Sequence, residues 1–480
     1  MERNLTMLMD FYELTMANAY YVLGLENQEV VFDMFYRKNP DDGGFVVCAG
    51  LESFIDYIEN LKFTEEDIEY LESRKMFDAG FLEYLRNFKF KGNISAVKEG
   101  TIVYPNTPLL TVTAPLIDAQ IIETALLVLI NHQSLIATKA NRIAFAAEGA
   151  VLMEFGARRA QGPDAAILGS RAAYIGGANA TATTIADELY GIKAVGTMAH
   201  SWVQFFETEY DAFKAYAKIY PDSCTLLIDT YDVMGSGLPN AIKCAKEVLE
   251  PKGHRLKGIR IDSGDLAYLS KKIRKALNEN GLEDCQIVVS NSVDEYLIQS
   301  LKKQGACIDS YGIGERLITS KSSPVFGGVY KLAAIKRGDT YVHKIKISEN
   351  SEKITNPGRK RLYRVYNEQG MGYADVLALY EEDILGKTEI EVVDSKKEWK
   401  HITLKPTTIK ELHVPIFENG KLVYEKPSLD EIRDYVKYQL EHEVWEEEKR
   451  FEYPHLHYVD LTKKLFDLKE QMLEEYGSKK

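Results

Sequence analysis

At 480 residues, with 45 % hydrophobic and 27 % charged side chains, the chain is long enough for two or three domains, each with a full core. A formal net charge of −13 argues against a nucleic-acid groove, which needs clustered positive charge, although local basic patches can still hold a small phosphorylated ligand. The five cysteines (Cys48, Cys224, Cys244, Cys285, Cys307) show neither CxxC pairing nor a companion histidine at metal spacing. Free thiols in a reducing, cytoplasmic setting and no protein-bound metal are therefore expected. The N-terminus carries no signal-peptide pattern, and the apolar runs are too short to span a bilayer, so no membrane contact is expected.

Residues 10–23 have the composition of an amphipathic helix, and 30–36 alternate like a strand. Residues 93–97, 101–104 and 109–112 read as short antiparallel strands punctuated by Gly100, Pro105 and Pro108. A long apolar helix is expected over 119–147. From about residue 150 strand-like runs end in small or polar residues, at Phe155-Gly156-Ala157-Arg158, Gly176-Gly177-Ala178-Asn179, Gly196-Thr197, Asp229-Thr230, Asp262-Ser263-Gly264, Ser290-Asn291-Ser292 and Gly312-Ile313-Gly314. Helical periodicity follows each of them, for example over 266–278 and 293–303. Intervals of roughly 20 to 35 residues are those of βα units in a parallel arrangement.

Seven such units favour an irregular or incomplete α/β barrel, with 329–335 as a candidate eighth strand that lacks a following helix. After residue 336 the pattern returns to strands, over 340–347, 362–366 and 389–393. The expected organisation is an α+β segment (1–118), the barrel (119–335), a β-rich segment that returns to the N-terminal strands as one discontinuous domain (336–425), and a C-terminal helical segment (426–480). Ser428-Leu429-Asp430-Glu431 is a capping box that starts a helix running to about residue 450, with 446–448 as its solvated acidic face.

Chemistry in a parallel barrel sits at the strand C-termini. His200 follows one strand and Asp229 the next. A carboxylate bonded to one imidazole nitrogen would fix the tautomer and leave the other nitrogen basic or nucleophilic. The bland alternative is a core histidine and a helix-capping aspartate; placement on adjacent βα loops favours the functional reading. Period-two alternation puts Arg260 and Asp262 on one side of their strand. There the arginine can hold a planar anion, at about 1.5–3 kcal/mol per charged hydrogen bond, and the aspartate a ribose hydroxyl or a metal shared with phosphate. An internal ion pair is the alternative; Ser263 and Gly264, which permit close backbone approach, weigh against it. The Asn291 and Gly312–Gly314 loops have amides able to cradle phosphate, although a GxG alone is usually a tight turn. Of Arg158 and Arg159 only one can face inward, and Arg158 is the better placed. Tyr12 lies on a helix where an aromatic is more often core than ligand platform. His455 and His457 lack acidic or cysteine partners at metal spacing and read as surface or packing.

Six stretches, MDFYELTMANAY (9–20), FGARRAQGPDAA (155–166), GTMAHSWVQ (196–204), LLIDTYD, GIRIDSGDL and VVSNSVDE, together resemble the nicotinate phosphoribosyltransferase family, over residues 9–331. The resemblance implies condensation of nicotinate with phosphoribosyl pyrophosphate to nicotinate mononucleotide and pyrophosphate in NAD salvage, coupled to ATP hydrolysis, with Mg²⁺ accompanying both phosphorylated substrates. It implies that His200 is transiently phosphorylated and that Asp229 orients it. Nicotinate would be held by Arg260 and Thr197 with its ring between Phe155 and Tyr12, the tyrosine coming from the second subunit of a homodimer. Asp262 would hold the ribose, Arg158 and Arg37 the phosphates, and the Gly312–Gly314 turn the 5′-phosphate, with Ser263 and Asn291 also among the residues binding phosphoribosyl pyrophosphate. Nicotinamide-using relatives place an aspartate in the loop corresponding to 176–180, and here that loop has no acid. Some family members have a threonine after the phosphate-loop glycines where this chain has Glu315; that contact is not carried over, and Thr319 is the weaker candidate. The rival readings are a nicotinamide phosphoribosyltransferase, a barrel lyase or aldolase with a Schiff-base lysine or metal cluster, and a non-catalytic phosphate-ligand binder.

Overall fold

The computed structural model describes residues 4–395 and 399–477. The chain forms two compact units, Met1–Leu135 with Val325–Lys480, and Ile136–Pro324.

In the first unit Asp10 starts the helix Phe11–Val22 with a capping box completed by Glu13. The strand Glu29–Tyr36 is buried along seven of its eight residues because it is interior to a seven-stranded sheet. It pairs antiparallel with Leu110–Pro115 on one side and with Gly328–Arg337 on the other. The candidate eighth barrel strand therefore belongs to this antiparallel sheet; its apolar character serves the N-terminal strand, not a barrel. Asn93–Val97 and His413–Glu418 continue the sheet, so N-terminal and late segments share one hydrogen-bonded layer. Asp33 in the buried strand is neutralised by Lys360 at 2.7 Å and accepts from Thr111 Oγ1 at 2.7 Å.

A second, six-stranded sheet runs His401–Leu404, Ile390–Asp394, Tyr458–Thr462, Gly372–Leu379, Lys360–Tyr366 and Thr408–Glu411. Residues 426–480 are thus not purely helical: a central strand lies between the helices Leu429–His442 and Lys463–Gly477. The Ser428 capping box forms, but the helix stops at His442. Of the acidic run 446–448, Glu448 is buried, accepting from Tyr104 Oη at 2.7 Å and lying 3.0 Å from His457 Nδ1. His457 Nε2 is 3.3 Å from Asp375, which Arg364 engages through two nitrogens at 2.7 and 2.9 Å. His457 is therefore a buried, doubly acid-paired residue, and Glu448 is no solvated face.

The expected long helix is two, Leu116–Gln120 and Glu123–Ala147. By length and composition the stretch Leu116–Ala147 would suffice to cross a membrane, contrary to the expectation from its short apolar runs. Scattered Asn, Gln, Ser and Thr break those runs without lowering the mean hydropathy below 1.4. Since 72 % of its apolar window is buried within the protein, it is a core helix.

The second unit is built on six parallel strands in the order Ala180–Thr181, Val151–Glu154, Ser310–Ile313, Gln286–Asn291, Gly258–Ile261, Thr225–Leu227. The last strand in the chain pairs with the first, Ser310 opposite Val151, and a single bridge extends the other edge from Thr181 to Ala194. The first and last strands of the unit are thus neighbours inside one parallel sheet, and the barrel expected from the repeat of βα units is not closed by any ladder among the described residues. Among the described residues no ladder joins 192–195 to Thr225–Leu227. The expected strand at 192–195 is thus reduced to one bridge, and Gly176-Gly177 ends the helix Pro163–Gly176, not a strand. A Cβ on Gly176 would collide with the carbonyl of Ala137, and Gly177 has φ +120°, so close helix packing and a left-handed exit explain this glycine pair.

Candidate active site

Parallel strands deliver their C-terminal residues to one edge of the sheet, and that edge of the second unit gathers Phe155, Asp229, Asp262, Asn291 and Gly314. Arg260 is its hub. Its Nε donates to Ser290 Oγ at 2.8 Å, one terminal nitrogen to Thr197 Oγ1 at 3.3 Å, and the other to Asp262 Oδ1 at 3.2 Å. Ser290 Oγ also donates to Asp262 Oδ1. The guanidinium lies 5.7 Å from the centroid of the Phe155 ring, within cation–π reach. The Arg260–Asp262 ion pair does exist, but at a site open to solvent: the two side chains are 15 % and 32 % exposed.

His200 is the first residue of the helix His200–Phe205 and is half-buried. Its Nδ1 lies 3.1 Å from Thr230 Oγ1. The expected partner, Asp229, is committed elsewhere: its Oδ2 accepts from the backbone N–H of Asp262 at 2.7 Å and from Ser263 Oγ at 2.8 Å. The other oxygen, Oδ1, is buried without a partner. Here Thr230 contacts the imidazole and Asp229 organises the neighbouring strand end.

Phe155 forms one wall. Its N–H donates to Ile313 O at 2.8 Å, and a Cβ added to Gly312 would stand 2.6 Å from ring atom Cδ2. Gly312 is inside the strand Ser310–Ile313 and buried, so its missing side chain leaves room for the ring, a reason other than phosphate binding. Gly314 precedes the short helix Glu315–Ile318 and packs its Cα side toward Phe155 O.

Among the described residues, the remaining candidates make no side-chain hydrogen bond to this cluster, and Asn291 is one of them although it ends its strand at the same edge. Arg158 and Arg159 both lie exposed on the single turn Ala157–Arg159. Asn291 is exposed and adopts φ +98°, a conformation costly for a side-chain-bearing residue and frequent at functional strand ends. Glu315 pairs with Lys321 at 2.7 Å and Thr319 Oγ1 donates to Glu315 O at 2.7 Å, so neither side chain is presented as a free phosphate ligand. Asp265 and Asp232 serve as caps, accepting from Tyr268 N and from Met234 and Gly235 N. Tyr12 and Arg37 belong to the first unit. Burial lowers the pKa of Arg37, whose Nε has no partner, while its guanidinium lies 5.6 Å from the Phe35 ring centroid. Burial and the nearby Glu123 carboxylate raise the Tyr12 phenol above its usual value.

Two residues that the sequence reading did not select join the cluster: Thr230 and Ser290. Thr230 and Ser290 stand within quoted motifs, and a hydroxyl ending a buried apolar strand is the signal they offer.

Family models of the nicotinate phosphoribosyltransferase N-terminal domain, the nicotinate phosphoribosyltransferase family and its C-terminal domain match residues 7–131, 150–369 and 359–469. The nicotinate phosphoribosyltransferase of Bacillus subtilis is 43 % identical over 473 residues, covering 98 % of this chain and 95 % of that protein. The chain belongs to the nicotinate phosphoribosyltransferase family. A Caenorhabditis elegans member is 34 % identical across 96 % of the chain and 92 % of its own length. The crystal structure of the human nicotinic acid phosphoribosyltransferase superposes with a TM-score of 0.86 at 29 % identity, covering 96 % of this chain and 99 % of that one. A nicotinate-nucleotide pyrophosphorylase from Pyrococcus furiosus shares the fold alone, at TM-score 0.70 and 23 % identity. Within the family the loop 176–180 has no acid in this chain, and Asn179 is occupied in exchanging hydrogen bonds with the backbone of Leu152 at 2.7 and 2.9 Å.

Proposed function

We propose that the chain joins nicotinate to phosphoribosyl pyrophosphate, giving nicotinate mononucleotide and pyrophosphate in NAD salvage, with ATP hydrolysis coupled through phosphorylation of His200. The observation that carries the reading is Arg260, within cation–π distance of Phe155 and hydrogen-bonded to Thr197, beside Asp262. A cation next to an aromatic wall suits a flat aromatic carboxylate, and the adjacent carboxylate suits ribose hydroxyls. The loop 176–180, free of acids, leaves the nicotinate carboxylate unopposed by a negative charge, which disfavours the nicotinamide reading. The strand-end segments carry no lysine, and among the described residues no group of three or more His, Cys, Asp or Glu is arranged to hold a metal, so nothing favours a lyase or aldolase.

The pyridine nitrogen is itself a nucleophile. It attacks the ribose anomeric carbon, a C–N bond forms as the C–O bond to pyrophosphate breaks, and no general base is required. Catalysis then rests on positioning and electrostatics. Arg260 and Thr197 orient the ring; Asp262 and Ser263 steady the ribose; Arg158, Arg37, Asn291 and the Gly312–Gly314 segment contribute to phosphate binding. The unpartnered Asp229 Oδ1 and the adjacent Asp262 suit a divalent cation that arrives with the pyrophosphate and keeps most of its ligands from phosphate and water. Mg²⁺ bound there would neutralise the leaving group. Thr230 Oγ1 accepting from Nδ1–H would leave His200 Nε2 as the nucleophile toward ATP. We place the protein in the cytoplasm, as its five unpaired cysteines suit a reducing compartment. We further propose a homodimer in which Tyr12 serves the partner's site; 45 % exposure of Tyr12, on a helix with exposed Phe11 and Met16, supports it.

Purified protein incubated with phosphoribosyl pyrophosphate, Mg²⁺ and either nicotinate or nicotinamide, with and without ATP, tests the reading. Nicotinate mononucleotide formation stimulated by ATP is expected; preference for nicotinamide, or no product from either, overturns it. Labelled ATP should leave acid-labile phosphate on the wild type and none on His200→Ala; label persisting in the variant removes His200 from this role.

A further inference from the structure

Glu154 is the last residue of the strand Val151–Glu154 and is 1 % exposed. Its Oε1 accepts from the backbone N–H of Gly156. Its Oε2 accepts from Ser170 Oγ at 3.0 Å, Thr181 Oγ1 at 2.8 Å and Thr183 Oγ1 at 3.4 Å. All four donors are neutral, and among the described residues no cation pairs with this carboxylate. Burying an acid without a counter-charge is costly, and four hydrogen bonds are what make it tolerable.

Those donors come from three places that the site needs fixed. Gly156 is the tight exit turn behind Phe155: a Cβ there would stand 2.5 Å from Ile318 Cβ and 2.8 Å from Gly314 O. Ser170 lies on the helix Pro163–Gly176. Thr181 and Thr183 follow the acid-free loop 176–180, and Ala182 N donates to the backbone carbonyl of Glu154 at 2.8 Å. We infer that Glu154 is a positioning residue that joins the Phe155 turn to the segment 176–183 as one rigid wall of the aromatic-acid pocket. It touches no substrate; it acts through the ring of Phe155 and through that loop. The inference rests on the reading of Phe155 as the nicotinate platform.

Three variants of the full-length protein test it. Glu154→Ala removes the acceptor of Gly156 N–H and Thr183 Oγ1, while Ser170 Oγ keeps Ala166 O at 2.8 Å and Thr181 Oγ1 keeps Ser170 Oγ at 3.3 Å; it is expected to raise the KM for nicotinate roughly tenfold or more, with the KM for phosphoribosyl pyrophosphate nearly unchanged. Glu154→Gln can still accept from Gly156 N–H and donate to hydroxyls that rotate, so it is expected within about threefold of wild type. Should the alanine variant not fold, Thr181→Val removes one donor, keeps the carboxylate, and is expected to shift the nicotinate KM in the same direction. A merely structural role would lower the active fraction, and with it kcat, leaving both KM values in place. Equal rises in both KM values, an unchanged nicotinate KM in Glu154→Ala, or Glu154→Gln as impaired as Glu154→Ala overturns the inference. Amide hydrogen exchange supplies a readout independent of turnover: Glu154→Ala should speed exchange in both 155–158 and 176–183, and unchanged exchange in either segment also overturns it. A wild type inactive on nicotinate would sink the functional reading alone, since the exchange result still decides the role of Glu154.

Discussion

Gly312→Ala isolates the packing of the Phe155 wall. The added methyl would stand 2.6 and 2.7 Å from two ring carbons, whereas ordinary contact begins near 3.4 Å, so the ring must retreat by about 0.8 Å. Backbone strain plays no part, because Gly312 lies within a regular strand and is not among the residues with positive φ. Overpacking of this kind costs about 1–3 kcal/mol, and the lower chain entropy of alanine returns about 0.5–1 kcal/mol. The net is about 0–2.5 kcal/mol, or a loss of up to roughly 10 °C in Tm for a unit of this size. The effect on activity is expected to be larger. A platform displaced by nearly an ångström changes the near-attack geometry, and losses of about a hundredfold in kcat/KM for nicotinate accompany misplacements of that size. Thermal unfolding and steady-state kinetics, measured also for Phe155→Leu and for the double variant, give the coupling directly. A smaller side chain at 155 should relieve the clash, so the two changes should be non-additive by about 1 kcal/mol or more. Wild-type Tm and KM in Gly312→Ala, or strict additivity with Phe155→Leu, would refute the reasoning.

Arg260→Lys keeps the charge but loses the planar fork that reaches Ser290, Thr197 and Asp262; each charged hydrogen bond forfeited is worth about 1.5–3 kcal/mol, so kcat/KM for nicotinate should fall by roughly 10- to 150-fold, and a change under about threefold would deny Arg260 its role. Thr230→Val should slow labelling of His200 by ATP about tenfold while Thr230→Ser restores it, and equal labelling in the valine variant would show that Thr230 does not orient the imidazole. Glu13 is buried, with Oε1 accepting from Thr124 Oγ1 and Oε2 unpartnered, and burial pushes its carboxyl up to about 7. The folded state thus favours the protonated form. Its contribution is fully present below the unfolded value near 4.5 and is lost as pH rises toward 7, so Glu13→Gln should raise the unfolding midpoint at about pH 8 and change it little near pH 4.5. A midpoint gain independent of pH would contradict that sign.

The parallel sheet was legible because its strands are short apolar runs closed by Gly, Ser, Asn or Asp, and such runs occur where both faces of a parallel sheet are covered. The reading overshot at 192–195, where a run as apolar as the others makes a single bridge to Thr181 and no ladder, because apolar composition alone does not supply a paired neighbour. The second sheet was only partly visible, since His401–Leu404 and Thr408–Glu411 keep much of their surface exposed and carry no apolar alternation strong enough to mark them. The buried charges around His457 were invisible for a different reason. Their partners lie 9 and 82 residues away, so nothing local to His457 reports them. Burial alone would lower its pKa, yet the two carboxylates outweigh burial and raise it. Burial likewise raises the Asp375 carboxyl, but the Arg364 guanidinium prevails and holds it at about 2.

At the site, the sequence supplies addresses and the register supplies partners. Strand ends fix which residues reach the C-terminal edge of the parallel sheet, which is why Asp229, Arg260 and Asp262 could be placed there from spacing. Which of them touch depends on the alignment of neighbouring strands. Val288 pairs with Arg260 and Val289 with Ile261, so Ser290 falls beside Asp262 and completes the arginine's hydrogen bonding. No pattern within either strand contains that information. The same holds for His200. Where a strand runs out, adjacent side chains diverge, and Asp229 and Thr230 turn toward different neighbours, one to Asp262 N and Ser263, the other to the imidazole. Spacing points to Asp229 as the imidazole's partner, one residue short of Thr230; only the path of the chain past Leu227 decides between them.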